Sequence, residues 1–224
     1  MDIARHVRWL KPPVFLLCLG PFVNLGLRFY DVAVRGGTSL GANPTEFIRN
    51  SLGFWTLVFL CITLAVSPAR RVLHQNWLIR FRRMVGLFAF FYGSLHLITY
   101  VWFDTGFNWA MIVQDVYMRP FITMGFTSFV LMVPLALTST SGMVRRLGGK
   151  RWRLLHRLVY FSAIAGVIHY YWLVKIDETI PIRFAVVVGI LLGYRILYYF
   201  MEGKGRGSSK GPAPTPSKQP AVSA

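Results

Sequence analysis

Apolar residues gather in six runs of about twenty, at 12–29, 51–67, 83–103, 119–138, 154–174 and 182–201. Short stretches between them hold most of the charge. At 1.5 Å per residue each run reaches about 30 Å as a helix, the thickness of a bilayer's hydrocarbon core. The pattern predicts an all-α integral membrane protein, a six-helix transmembrane bundle over residues 1–201 with a tail over 202–224. The first run is interrupted by Pro21, Asn24 and Arg28, and the second is short. The tail is rich in Gly, Pro and Ser, has little to bury, and is expected to be a disordered cytoplasmic segment.

Composition agrees: of 224 residues 54% are hydrophobic, yet the net charge is +17. A nucleic-acid binder would spread such charge over a water-facing surface, whereas here it sits in clusters between apolar runs, so nucleic acid is not expected as a partner. Eighteen of the 25 basic residues, with Arg83 and Arg157 at the leading edges of the third and fifth runs included, lie before the first run, between the second and third, between the fourth and fifth, and after the sixth. The positive-inside rule makes that side the cytoplasm and puts both termini there. Asp31, Glu46, Asp104, Asp115, Asp177 and Glu178 fall on the other side. The first run is read as a span and not a cleaved signal, since no A-x-A-like site follows it. Cys18 and Cys61 sit inside the first two spans and are expected as small buried apolar residues.

The candidate chemistry lies in the histidines. His6 and His74 belong to polar segments, but His96, His156 and His169 lie inside or at the edge of apolar runs. An ionisable group there is costly and by default marks function. A single buried imidazole is equally satisfied by a neighbouring hydroxyl or carbonyl; three arranged by depth call for more. Span three enters from the cytoplasm, so His96 lies roughly 20 Å deep, near the periplasmic face. Span five enters likewise, which leaves His156 shallow and carries His169 to the depth of His96. Two imidazoles on neighbouring helices at one level can ligate a b-type haem from both sides. No carboxylate or thiolate lies close enough in sequence to complete a zinc site.

His156 has no histidine opposite it; at its level on span three stands Arg82 or Arg83, of which Arg82 lies within roughly 40° of the helical face of His96. Arginine stays protonated and is a poor iron ligand. It suits a haem propionate or a flavin phosphate, or simple snorkelling to the membrane edge. The candidate metal ligands are thus His96, His169 and His156, with Arg82 as a cofactor contact. On one continuous helix, thirteen residues turn His156 about 140° away from His169. Gly166, between them, is the permissive point for a distortion that would reduce the mismatch.

Six spans with intramembrane histidines on the third and fifth resemble the ferric-reductase-like transmembrane domain. In that superfamily spans three and five each supply two haem-ligating histidines; here span three has His96 and Arg82 in place of a pair. The stretches RFRRMVGLFAFFYGSLHL (80–97), LALTSTSGMVRRLGGKRWRLLHRLVY (135–160), GVIHYYW (166–172) and LAVSPARR (64–71) are similar to the bacterial MsrQ (YedZ) family. That resemblance implies an inner-membrane protein carrying one or two b haems, in a family also associated with FMN. It implies electrons drawn from the quinone pool or a cytoplasmic flavin reductase and passed to MsrP, a periplasmic molybdenum enzyme that reduces methionine sulfoxide in oxidised proteins. The chain would then be the electron-transfer subunit of an oxidoreductase system.

The expected path is vertical, from the cytoplasmic side near His156 and Arg82, through the pair His96 and His169, to the periplasmic loops. The basic segment SGMVRRLGGKRWR (141–153) is a candidate contact for a flavin phosphate or acidic membrane lipid. The segment 104–118 is where a periplasmic partner would dock, with Trp109 and Tyr117 as interface anchors or simply as residues at the headgroup level. Two other readings compete. One is a stand-alone ferric-type reductase, although no nucleotide-binding domain is evident. The other is a non-redox proton channel or transporter, for which a midplane site would be more usual.

Overall fold

The computed structural model describes residues 3–174 and 178–207, and every regular element in them is helical. In chain order these are α1 (Ile3–Arg35), α2 (Pro44–Val72), α3 (Ile79–Thr99), α4 (Trp109–Met118), α5 (Pro120–Leu137), α6 (Ser141–Leu155), α7 (Leu158–Leu173) and α8 (Thr179–Gly207). A 3-10 turn, Asn76–Leu78, leads into α3, and a π-helical turn, Tyr100–Asp104, ends it. Among the described residues five helices (α1, α2, α3, α5 and α8) are long and apolar enough to cross a membrane. The fifth expected span corresponds to α7, which has 16 residues and is shorter than the rest. It starts at Leu158, not at 154, because the chain turns at His156 and Arg157. The linking segments are also more ordered than loops: 104–118 contains α4, and the basic segment forms α6, two helical pieces that meet at a kink at Gly148 (φ 73°). α8 continues past 201 to Gly207; residues 208–224 of the expected tail lie outside the described residues.

The bundle is built on two intimate pairs, α2 with α3 and α5 with α7, joined where α2 meets α7 and α3 meets α5. α8 closes against α2 and α7, and α1 lies along α3. Small residues explain how closely α5 and α7 approach. Ser162, Ala163, Ala165 and Gly166 are buried on α7. The hydroxyls of Ser128 and Ser162 each donate to the other residue's carbonyl, at 2.8 and 3.0 Å. In apolar lipid no hydrophobic force drives helices together, so such close packing and interhelical bonding is what holds them. Polar residues elsewhere in the spans close bonds on their own helix. Thr56, Thr63 and Ser94 each donate to the carbonyl four residues earlier.

The interruptions in the first run do not stop α1. Arg28 donates to Asn24 Oδ1 at 3.1 Å and to the Ser39 carbonyl at 3.0 Å, so the two polar residues satisfy each other and the following loop. Beside Pro21 the helical ladder is opened and repaired by a residue of α3. The fully buried Tyr92 hydroxyl donates to the Cys18 carbonyl at 2.9 Å and accepts from the Phe22 N–H at 3.0 Å. Those two backbone groups are four residues apart and would otherwise bond each other. At Pro68 in α2 the missing N–H orphans the carbonyl of Leu64, and Arg195 of α8 supplies the donor, Nη2 to Leu64 O at 2.8 Å. Cys18 and Cys61 are both buried and free.

Candidate functional site

The helices α2, α3, α5 and α7 surround a cavity of about 380 Å³ near the end of α3 that leads into the π-helical turn. His96 of α3 and His169 of α7 both line it, with ring centres 6.1 Å apart and planes at 73°. Counting residues therefore predicted their shared depth correctly. Each imidazole is anchored from behind by a backbone carbonyl on a different helix. Nδ1 of His96 lies 2.9 Å from the Arg49 carbonyl on α2, and Nδ1 of His169 lies 2.6 Å from the Phe121 carbonyl on α5. A carbonyl only accepts, so both Nδ1 atoms carry the proton and both Nε2 atoms keep a lone pair. That tautomer is the one a metal-binding histidine needs.

Space for the rings comes from glycines on the facing helices. A Cβ on Gly125 of α5 would lie 2.7 Å from His169 Nδ1, and one on Gly53 of α2 would lie 3.1 Å from His96 Cε1. Leu57, Leu60, Phe129 and Met132 supply apolar walls. Charged groups stand at the rim, where the π-helical turn brings Asp104 to Arg49, 2.5 Å away. The same turn lets Tyr100 donate to Asp115 at 2.9 Å, and Asp115 also pairs with Arg119 at 3.2 Å. A single extra residue in a helical turn re-aims everything after it, and such bulges recur at functional sites.

What could this pair hold? Among the described residues no three His, Cys, Asp or Glu side chains come together as a metal site. Two imidazoles alone leave a bare ion short of ligands. A group that brings its own four equatorial nitrogens needs only two axial donors, and that is haem. With metal–nitrogen bonds of about 2.0–2.1 Å, two imidazoles on opposite sides of one ion have ring centres roughly 6.3 Å apart. The observed 6.1 Å separation, the protonated Nδ1 atoms and the glycine-cleared cavity fit that group.

His156 sits differently from its expected place. It caps the C-terminus of α6 and does not belong to α7, so the thirteen-residue rotation does not apply and no distortion at Gly166 is involved. Gly166 is instead a packing glycine, where a Cβ would lie 3.0 Å from Leu57 and 3.3 Å from Ser128. The His156 ring stacks on Trp152 at 3.8 Å and its Nδ1 donates to the Trp152 carbonyl at 3.0 Å. Its Nε2 is buried without a hydrogen-bond partner. Arg82 is close enough to His156 to act on it electrostatically, so these two residues are brought to one end of the bundle as expected. Arg82 also reaches Ser67 Oγ at 3.4 Å and feels the charge of Arg195.

Arg195 was missed in the sequence, although an arginine in the middle of the last apolar run carries the same signal as the histidines. Its guanidinium lies over the Tyr160 ring, 4.8 Å from the centre, and donates to the Tyr160 hydroxyl. The carbonyls behind the histidines carried no sequence signal at all. Trp109 and Tyr117 of α4 are exposed, at 69% and 82%.

Comparison with known proteins points the same way. The family described as ferric reductase like transmembrane component matches residues 46–167, which include His96 and His156. Among curated relatives, a protein of Herminiimonas arsenicoxydans is 51% identical over 195 residues, covering 86% of this chain and 87% of its own length. One of Ralstonia nicotianae is 48% identical, covering 93% and 94%, and one of Azospira oryzae is 47% identical, covering 97% and 88%. All three are named protein-methionine-sulfoxide reductase heme-binding subunit MsrQ.

Proposed function

Since this chain belongs to the ferric-reductase-like transmembrane family and, within it, to the MsrQ haem-binding subunits of protein-methionine-sulfoxide reductase, we propose that it carries electrons across the bacterial inner membrane to a periplasmic reductase of the MsrP type. The observation that carries this reading is the pair of imidazoles, on separate helices, 6.1 Å apart around one cavity, each with its far nitrogen tied to a backbone carbonyl. His96 and His169 would hold a b-type haem, which would supply a one-electron centre in low dielectric when bound. The carbonyls of Arg49 and Phe121 fix the ring tautomers and raise the basicity of Nε2. Gly53 and Gly125 let α2 and α5 approach without displacing the rings, and the apolar walls keep water from the ligands.

The other end of the bundle supports a second cofactor contact. Nε2 of His156 is buried with no close hydrogen bond and could serve a metal, and Arg82 beside it suits a propionate or the phosphate of FMN. Either a second haem or FMN there would face electrons arriving from the quinone pool or a cytoplasmic flavin reductase. Six spans with both termini cytoplasmic would put His156 on the donor side and α4 on the partner side. α7 would then be a short fifth span of about 24 Å. The exposed Trp109 and Tyr117 give α4 the large amphipathic side chains that anchor protein contacts.

The test is direct. The chemically reduced protein is mixed, without oxygen, with a purified periplasmic methionine-sulfoxide reductase and a sulfoxide substrate in a stopped-flow spectrometer. Reoxidation that requires both the enzyme and the sulfoxide is expected. A reduced spectrum that persists with both present, while a small ferric chelate reoxidises it, would replace this reading with a stand-alone reductase.

A further inference from the structure

A second cavity, of about 280 Å³, lies where α2 ends and α8 passes it, lined by Arg70, Arg71, His74, Asn76 and Tyr198. Gly53, which faces His96, is seventeen residues earlier on α2, so this cavity is roughly 25 Å from the histidine pair. None of its lining side chains is negative, and two are permanently positive. Among the described residues neither Arg70 nor Arg71 pairs with a carboxylate. Arg71 is held in place with its guanidinium 3.4 Å over the centre of the Tyr198 ring. The Nε–H of Arg70 is buried and has no hydrogen-bond partner. A buried charged donor left unmatched is costly, so the cavity is short of an acceptor that carries negative charge.

The surroundings identify that acceptor. Val72 and Leu73 beside the arginines are exposed, and so are Ile196, Leu197, Tyr199 and Phe200 around Tyr198. A cationic pocket at the end of a membrane helix, bordered by bare apolar side chains, matches an amphiphile with an anionic head. A soluble phosphate ester would use only the pocket. We propose that this cavity binds the phosphate of an anionic phospholipid, whose acyl chains run along the exposed face of α8. Guanidinium groups take phosphate oxygens in pairs, which gives the site geometry as well as charge. The proposal does not rest on the reading of the histidine pair, which lies roughly 25 Å away; the cavity shares its end of the bundle with His156 and Arg82 but includes neither in its lining.

Delipidated full-length protein in detergent would be titrated with dioleoylphosphatidylglycerol, and separately with dioleoylphosphatidylcholine and inorganic phosphate, with binding followed by native mass spectrometry. One phosphatidylglycerol per chain is expected at saturation, with phosphatidylcholine much weaker. Each arginine near a charged lipid contributes about fivefold, so Arg70→Gln/Arg71→Gln should weaken binding at least tenfold. The exposed pair Arg80→Gln/Arg83→Gln, at the same membrane edge but outside the cavity, should stay within about twofold. Tyr198→Leu keeps every charge and frees Arg71, and should weaken binding severalfold; it decides the matter should the double variant fail to fold. Equal losses in both arginine pairs would reduce the site to diffuse charge attraction and overturn the proposal. Displacement of the lipid by millimolar inorganic phosphate, with no preference over phosphatidylcholine, would assign the cavity to a free phosphate ester instead.

Discussion

Replacing Gly125 by alanine tests the histidine site without touching a histidine. The added Cβ would lie 2.7 Å from Nδ1, 2.8 Å from Cε1 and 3.0 Å from Cγ of His169. Comfortable contact is about 3.5–4.0 Å, so the ring must withdraw by several tenths of an ångström to about 1 Å. Its 2.6 Å bond to the Phe121 carbonyl leaves no slack for that movement. Losing the bond with the donor still buried costs about 1–3 kcal/mol, and overpacking a tight helix pair costs a similar amount. With partial relaxation, about 2–4 kcal/mol falls on the bound state, or a drop in haem affinity of roughly 30- to 700-fold. Gly53→Ala should be milder, because its nearest contact is 3.1 Å, and Gly189→Ala, with nothing within 4 Å, should retain full occupancy. The assay is the haem-to-protein ratio by pyridine haemochrome across the three variants. A Gly125→Ala protein with wild-type haem content and an unchanged spectrum would refute the idea that this glycine clears space for a ligating ring.

Two further predictions concern how the fold closes around the site. Arg195→Leu should leave the Leu64 carbonyl without a donor and destabilise the protein by about 1–3 kcal/mol in reversible denaturation. In a Pro68→Ala background, residue 68 regains its N–H and most of that loss should vanish; an equal loss in both backgrounds would contradict the role given to Arg195. Tyr92→Phe should lower the thermal midpoint by several degrees, because the Cys18 carbonyl and the Phe22 N–H lose a shared partner worth about 1–3 kcal/mol. An unchanged midpoint would mean that α1 closes its own ladder there.

The sequence was legible wherever one residue's position along a helix decided the outcome. His96 and His169 were placed at one depth by counting rise per residue, and their rings do meet. Counting failed at His156, because it assumed an unbroken helix. The basic segment forms α6 and turns at His156 and Arg157, where neither proline nor glycine marks the break. The anchoring carbonyls of Arg49 and Phe121 were invisible for a different reason: every residue has a carbonyl, and only packing selects one. Gly53 and Gly125 looked like ordinary small residues of a membrane helix until their neighbours were known. Arg195 stands out in its apolar run as the histidines do in theirs, but its pairing with the carbonyl orphaned by Pro68 depends on where α8 lies against α2. Pro21, Asn24 and Arg28 suggested a broken first span, yet Tyr92 and a local side-chain pair keep α1 continuous.

The central claim is that His96 and His169 hold the same haem from opposite sides. The reduced-minus-oxidised visible spectrum of the purified protein, recorded beside His96→Ala, His169→Ala and His156→Ala, tests it most directly. A b-type spectrum that dithionite can cycle is predicted for the wild type. Both His96→Ala and His169→Ala should lose the same six-coordinate component, and His156→Ala should keep it. Wild-type protein that stays colourless from haem-replete cells would contradict the account, as would a variant of either paired histidine that retains that component in full.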